Sequence, residues 1–167
     1  RINPNGLSNK AHIMKKILFS LIAVAALLGM VSCSTESVEV PVITDLGITA
    51  NPVDCQVYSR GDSIYFHYRI TGNEELGSYN LEIHNNFDHH THGTQGQTCA
   101  LDAKKDPQKN AFYYNQDFVI PRGNKDYDAR QSIYIPANAQ PGDYHFVIRA
   151  TNSQGGQGIR AMAIKIK

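Results

Sequence analysis

The chain has 167 residues, with 16 Lys and Arg against 15 Asp and Glu, three cysteines and no tryptophan. So balanced a charge leaves no electrostatic footprint for nucleic acid, and the length suits one domain with a core of its own.

Residues 1–13, from Arg1 to Ile13, are polar and patternless and are expected to be an upstream translated segment outside the fold. Met14-Lys15-Lys16 opens an apolar run from Ile17 to Val31, so residues 14–32 have the form of a secretory signal. The run is shorter than the roughly twenty residues that a membrane-spanning helix needs. It ends in Met30-Val31-Ser32-Cys33, which looks like a lipobox: the chain is cut before Cys33 and the cysteine is acylated. Met30 departs from the usual leucine, and an ordinary signal peptide with an incidental cysteine is the alternative. Each buried methylene of an acyl chain contributes about 0.8 kcal/mol, and stable anchoring takes more than one chain. Residues 33–40 then form a lipidated tether, and residues 41–167 form the domain. The expected location is the cell envelope, lipid-anchored to the outer membrane.

Removing Arg1, Lys10, Lys15 and Lys16 leaves 12 basic against 15 acidic residues, a net charge of about −3. Cys55 and Cys99 also remain. In an oxidising compartment the pair is most simply a disulfide, with a pair of thiolate metal ligands as the alternative.

The exported part reads as β throughout. Ile64, Phe66, Tyr68 and Ile70 alternate along one face of a strand, as do Tyr79, Leu81 and Ile83 along another, the pattern of strands buried on one side. Further strands are expected at Ile43–Thr49, Tyr114–Ile120, Ser132–Ile135, Tyr144–Ala150 and Ile159–Ile166. Turn residues punctuate them at 59–62, 71–73, 121–124, 141–143 and 152–158. The expected fold is an all-β, immunoglobulin-like antiparallel β-sandwich of about seven strands, although the buried tryptophan of antibody domains is missing. Two stretches break the rhythm. One is the long loop Asn85–Asn110, and such loops are usually functional or disordered. The other, Arg122–Arg130, is polar and expected to be exposed.

Four of the seven histidines, His84, His89, His90 and His92, fall within nine residues, with Asp88 among them. Neutral imidazole is a ligand for zinc, copper and nickel. His84 ends a strand while the others sit on the loop that follows, so they approach from different backbone directions. His145 points away from Tyr144 and Phe146, and His84 away from Leu81 and Ile83. In an immunoglobulin-type sandwich their strands are neighbours, which sets the two side by side on an outer face. His67 belongs to the other sheet. The alternative is a solvated loop that takes up metal without purpose, since a short histidine tract is a compositional signal only. No nucleophile elbow or zinc-protease motif occurs. Asp126-Tyr127-Asp128 and Glu74-Glu75 read as solvated carboxylates, and Gly155–Gly158 as a hairpin turn. Phe112, Tyr113 and Tyr114 are too dense for one strand face, so at least one is exposed and available to stack on a sugar or a protein partner.

Leu81-Glu82-Ile83-His84, the histidine-rich loop and the segment from Ile133 to Phe146 resemble the small lipoproteins of Bacteroidetes catalogued as domain of unknown function 4625. The resemblance covers roughly Pro41 to Lys167, and Ile135-Pro136-Ala137 with Pro141-Gly142-Asp143-Tyr144-His145 is its most specific part. It implies a single immunoglobulin-like domain behind a lipoprotein signal, with histidine at the places of His84 and His145, and it supplies no reaction. Arg130-Gln131-Ser132 stands where another histidine is frequent, and Thr151-Asn152 where an aspartate is common, which puts the strength of the site and its metal in question. Together these features lead us to expect a lipid-anchored, non-enzymatic module binding zinc or copper through His84, Asp88, His89, His90, His92 and His145. Its expected partners are the membrane and an envelope protein. A surface adhesion or glycan-binding module is the rival.

Overall fold

The computed structural model describes residues 38–92 and 99–167. The stretches expected to be a leader and a signal, and Cys33, lie outside the described residues. Eight strands follow in chain order: β1 Val42–Thr44, β2 Gln56–Tyr58, β3 Ser63–Thr71, β4 Leu76–Asn85, β5 Tyr114–Val119, β6 Asp126–Tyr134, β7 Gly142–Asn152 and β8 Gln157–Ile166. They form a three-stranded sheet in the order β1-β3-β6 and a five-stranded sheet in the order β2-β8-β7-β4-β5. The two make a β-sandwich, with no helix among the described residues.

Period-two alternation positions the core. Ile64, Phe66, Tyr68 and Ile70 of β3 are at most 1% exposed, and Tyr79, Leu81 and Ile83 of β4 at most 2%. They meet Tyr144, Phe146 and Ile148 of β7 and Met162, Ile164 and Ile166 of β8. Phe66 stacks on Phe146 and Tyr79 of the opposite sheet, with ring centroids 5.7 and 6.1 Å apart. Each such side chain contributes about 1.5–3 kcal/mol when fully buried.

The β-sandwich is the expected one, and the structure adds detail to it. Among the described residues the strands number eight in a three-plus-five arrangement, and β2 pairs parallel to β8 in an otherwise antiparallel framework. With only three residues, β2 is too short to carry a visible period. The stretch Arg122–Arg130 is not a loop throughout, because β6 begins at Asp126 and pairs along the whole of β3. Its inward members, Tyr127, Ala129, Gln131 and Ile133, include only one aliphatic residue larger than alanine, and Gln131 donates to the Tyr79 hydroxyl at 2.9 Å. The outward members pair as ions, with Asp126 accepting from Arg69 at 2.7 Å and Asp128 from Arg130 at 3.0 Å. Finally, the compact unit begins at Val38. Asn152 Nδ2 donates to the Glu39 carbonyl at 2.6 Å, and a Cβ on Gly158 would lie 1.9 Å from the Pro41 carbonyl oxygen. Only glycine at 158 lets this entry segment lie against the hairpin joining β7 and β8.

A disulfide joins Cys55 to Cys99 across 44 residues of sequence. It ties the far part of the long loop to the β2 edge, where Cys55 N–H donates to the Ala163 carbonyl at 2.8 Å. Replacing both cysteines with serine is expected to lower the unfolding free energy by about 4 kcal/mol on the chain-entropy account. Urea unfolding measures this, and a loss under about 1 kcal/mol would show that other contacts hold the loop.

Candidate metal centre

Two of the histidines sit on rigid backbone. His84 of β4 pairs directly with His145 of the neighbouring strand β7. Both leave the sheet on the face opposite the core, because Ile83 and Phe146 occupy the inward positions. β7 lies inside the sheet, flanked by β4 and β8, and the long loop crosses over its outer face. Consequently His145, on the outer face of its sheet as the sequence pattern suggested, is fully buried.

The loop returns over these two residues for local reasons. Asn86 N–H donates to the Asp143 carbonyl at 2.8 Å. Phe87 is buried against Tyr144 in an edge-to-face contact at 5.3 Å, an arrangement aromatic pairs favour. Lys105 Nζ lies 4.8 Å over the Phe87 ring, and Lys105 N–H donates to the Phe87 carbonyl at 3.1 Å. With Phe87 fixed, His89 adopts φ 63°, a left-handed conformation uncommon outside glycine. That reversal carries His90 and His92 back across the sheet.

Four imidazoles converge as a result. Ligand nitrogens of His84, His90, His92 and His145 all lie within 4.8 Å of one another. His84 Nε2 is 2.9 Å from His92 Nε2 and 3.2 Å from His90 Nε2, and His145 Nδ1 is 3.3 Å from His90 Nε2. A regular tetrahedron with zinc–nitrogen bonds of about 2.0–2.1 Å has edges of roughly 3.3 Å. Three of the six edges of the group lie near that value and the others within 4.8 Å, a spacing close enough for one metal ion to draw the four together, and four imidazoles suit zinc or copper(II) better than calcium or magnesium.

Carboxylates set the tautomers. Asp88 Oδ1 is 2.6 Å from His90 Nδ1, which places the proton on Nδ1 and leaves Nε2 a bare lone pair. Glu82 Oε1 is 3.0 Å from His84 Nδ1. That nitrogen has no well-directed hydrogen-bond partner, so the contact is electrostatic, but it too favours the proton on Nδ1. The Nε2 lone pairs of His84 and His90 then face each other with no proton between them, an arrangement that repels unless a cation sits there. Carboxylates behind metal-bound histidines orient the ring and raise its basicity.

The pocket favours uncharged rings. Burial, reinforced by His92, His90 and His84, depresses the His145 imidazole to about 3. Burial also lowers His84, against the opposing Glu82 carboxylate, and burial followed by His90 lowers His92. Burial would raise the Glu82 carboxyl, but the Arg149 hydrogen bond and charge outweigh it and hold the group below the usual carboxylate range. Arg149 Nη1 donates to Glu82 Oε2 at 2.5 Å.

Of the six expected ligands the structure gathers four. Asp88 stands behind His90, its side chain largely exposed, and does not reach the shared centre. His89 falls outside the group, and its buried Nε2 has no partner among the described residues; its place at the left-handed turn explains why its ring diverges. His67 lies in the other sheet, bound to Asp128 Oδ1 at 2.5 Å and to the Thr49 carbonyl at 3.1 Å. Sequence reasoning missed Glu82 and Arg149. The signal for Glu82 was present, since two residues before His84 on a strand means the same face. Arg149 relates to His145 in the same way, four residues on. With both remaining cysteines in the disulfide, the donor set is nitrogen alone.

The fold and the centre define a β-sandwich whose outer face carries a preassembled four-histidine cluster. The chain belongs to the family described as Domain of unknown function (DUF4625), whose model matches residues 31–167. Among solved structures, the chain is similar to Spo0M, a sporulation control protein from Bacillus subtilis. That likeness has 8% identity and a TM-score of 0.41, covering 77% of this chain and 49% of the other. The chain thus spans about half the length of that protein. No curated protein matches.

Proposed function

We propose that this is a lipid-anchored, non-enzymatic metal-binding module of the cell envelope, holding zinc or copper(II) between the strand residues His84 and His145 and the loop residues His90 and His92. One observation carries this reading: one nitrogen from each of four imidazoles lies within 4.8 Å of the other three. Four protein ligands leave no position for a metal-bound water, the mark of structural and carrier sites rather than catalytic ones. Half the ligands are fixed and half sit on a loop, so a metal can enter or leave without disturbing the core. Such a site suits buffering, or handing the ion to an envelope protein. The lipobox-like Met30-Val31-Ser32-Cys33 supports the anchor. Among the described residues no helix is long and apolar enough to cross a membrane.

Titration of the metal-free domain with zinc and with copper(II) tests the proposal. Tight one-to-one binding is expected, and it should disappear in the His84→Ala/His90→Ala double variant. Saturation only at high micromolar metal, or retention by the double variant, would sink it.

A second reading has one observation in its favour. Tyr113 is 63% exposed beside a shallow hollow lined by Asn110, Phe112, Pro136 and Asn138. This is a ring face on which a sugar could stack. Binding on a glycan array that Tyr113→Ala abolishes and a chelator leaves unchanged would favour adhesion over metal handling.

A further inference from the structure

Outside the histidine centre, the entry segment carries a half-exposed apolar row. Residues 38–41 lead into β1, which begins at Val42. Pro41 turns inward, Glu39 is tied by its carbonyl to Asn152 and by its carboxylate to Asn73, and the valines face out. Val38, Val40 and Val42 are 53%, 54% and 57% exposed. Their spacing of two puts them on one side of an extended chain. Val38 Cγ1 lies close to Gly156 of the hairpin joining β7 and β8, yet about half of each valine is left in water.

The sequence indicates what lies near them. Only four residues, 34–37, separate Val38 from Cys33, so even a fully extended link spans at most about 18 Å. If Cys33 carries the acyl chains, the start of the row lies within reach of the headgroup layer. The far end of the domain is set by β7. Asn152 closes its hairpin beside Glu39, and His145 lies seven residues back along the same strand. At strand rise this is about 23 Å.

We infer that Val38, Val40 and Val42 form a membrane-contact strip, which lays the entry end of the sandwich against the lipid surface and presents the histidine centre on the far side, open to the compartment. The inference rests on the anchored reading and is independent of which metal the centre holds. The partner chemistry is a lipid interface: apolar side chains entering the headgroup–acyl boundary beside a covalent anchor, the second signal that reversible acyl anchoring needs. A metal-handing partner would then approach from the compartment side, unobstructed by the bilayer.

The chain has no tryptophan, so one introduced residue reports its own surroundings. The full acylated chain carrying Val40→Trp, and separately Thr91→Trp on the exposed part of the histidine loop, would be bound to vesicles of phosphatidylethanolamine and phosphatidylglycerol with brominated acyl chains. The Val40→Trp emission is expected to shift to the blue and to be quenched, and Thr91→Trp to emit as it does in water. Adding Val38→Asp to the first variant should reverse the quenching, which separates a contact of the strip from the appetite of tryptophan itself. Unquenched Val40→Trp, quenched Thr91→Trp, or indifference to Val38→Asp overturns the strip. A mass spectrum without acyl chains on Cys33 overturns the strip together with the anchored reading. Metal titration of the same preparation reports on the centre separately.

Discussion

Replacing His145 by leucine is expected to strengthen the metal-free domain while destroying its metal affinity. His145 is fully buried and its Nε2 has no partner among the described residues. A buried polar atom left unpaired costs about 1–3 kcal/mol. Leucine fills a similar volume without that atom, and its neighbour across the ladder, Ala163, accepts an apolar side chain. Stability without metal should therefore rise by roughly 1–3 kcal/mol. Affinity should move the other way. Zinc binding by a four-ligand site is worth about 10–16 kcal/mol, so an equal share for one ligand is roughly 3 kcal/mol, about a hundredfold or more in dissociation constant. Urea unfolding in chelator, paired with zinc titration, reads both effects. If the variant loses stability and keeps its affinity, His145 is a packing residue and the centre has lost its anchor on the sheet.

Acid should weaken the metal-free domain well before its carboxylates protonate. His145 is held at about 3 when folded against about 6.5 in an unfolded chain. Between these values the unfolded chain binds a proton that the folded one refuses, so stability falls as pH falls. The contribution is complete above pH 6.5 and lost progressively down to about 3. Each pH unit within the window removes up to about 1.4 kcal/mol for this one group, or about 2 kcal/mol between pH 6.5 and 5. His84 and His92, also lowered, add in the same direction. Carboxylates such as Asp45 and Asp102, lowered by hydrogen bonds from Arg160 and Lys165, contribute only nearer their own range. The interval from pH 6.5 to 5 is therefore a histidine signal. Unfolding in chelator at several pH values, wild type against His145→Leu, should give a steep wild-type slope and a shallower one for the variant. Parallel slopes would show that the buried ring is not the proton-linked group. Saturating zinc should oppose the loss, because metal and proton compete for the same lone pairs; at a hundred times the dissociation constant, ligand binding adds about 2.7 kcal/mol.

Much of the scaffold was legible because it follows local rules. The strands β3 and β4 announced themselves by alternation, and the residues they were expected to bury are the ones buried. The same parity argument placed His84 and His145 on one face of adjacent strands, as the ladder shows. Only the end of β6 was legible, in the strand expected at Ser132–Ile135. The buried side of its first part carries Tyr127, Ala129 and Gln131, whose contribution depends on Tyr79 across the core. β2 has too few residues to show a pattern, and its parallel partner is more than a hundred residues away.

The centre divides in the same way. Its composition lay in the sequence, since imidazoles dense in one loop and a histidine on a strand are visible without coordinates. Which histidines meet was decided only by tertiary structure. The left-handed turn at His89 aims its ring away and returns His90 and His92 over the sheet, and the Phe87 contact with Tyr144 fixes the starting point of that turn. Burial of His145 likewise depends on a loop that begins sixty residues earlier in the chain. The physical reason is range. Alternation is set by a residue and its immediate neighbours, whereas a cage of four nitrogens needs two strands and a loop held in register by contacts no local pattern encodes.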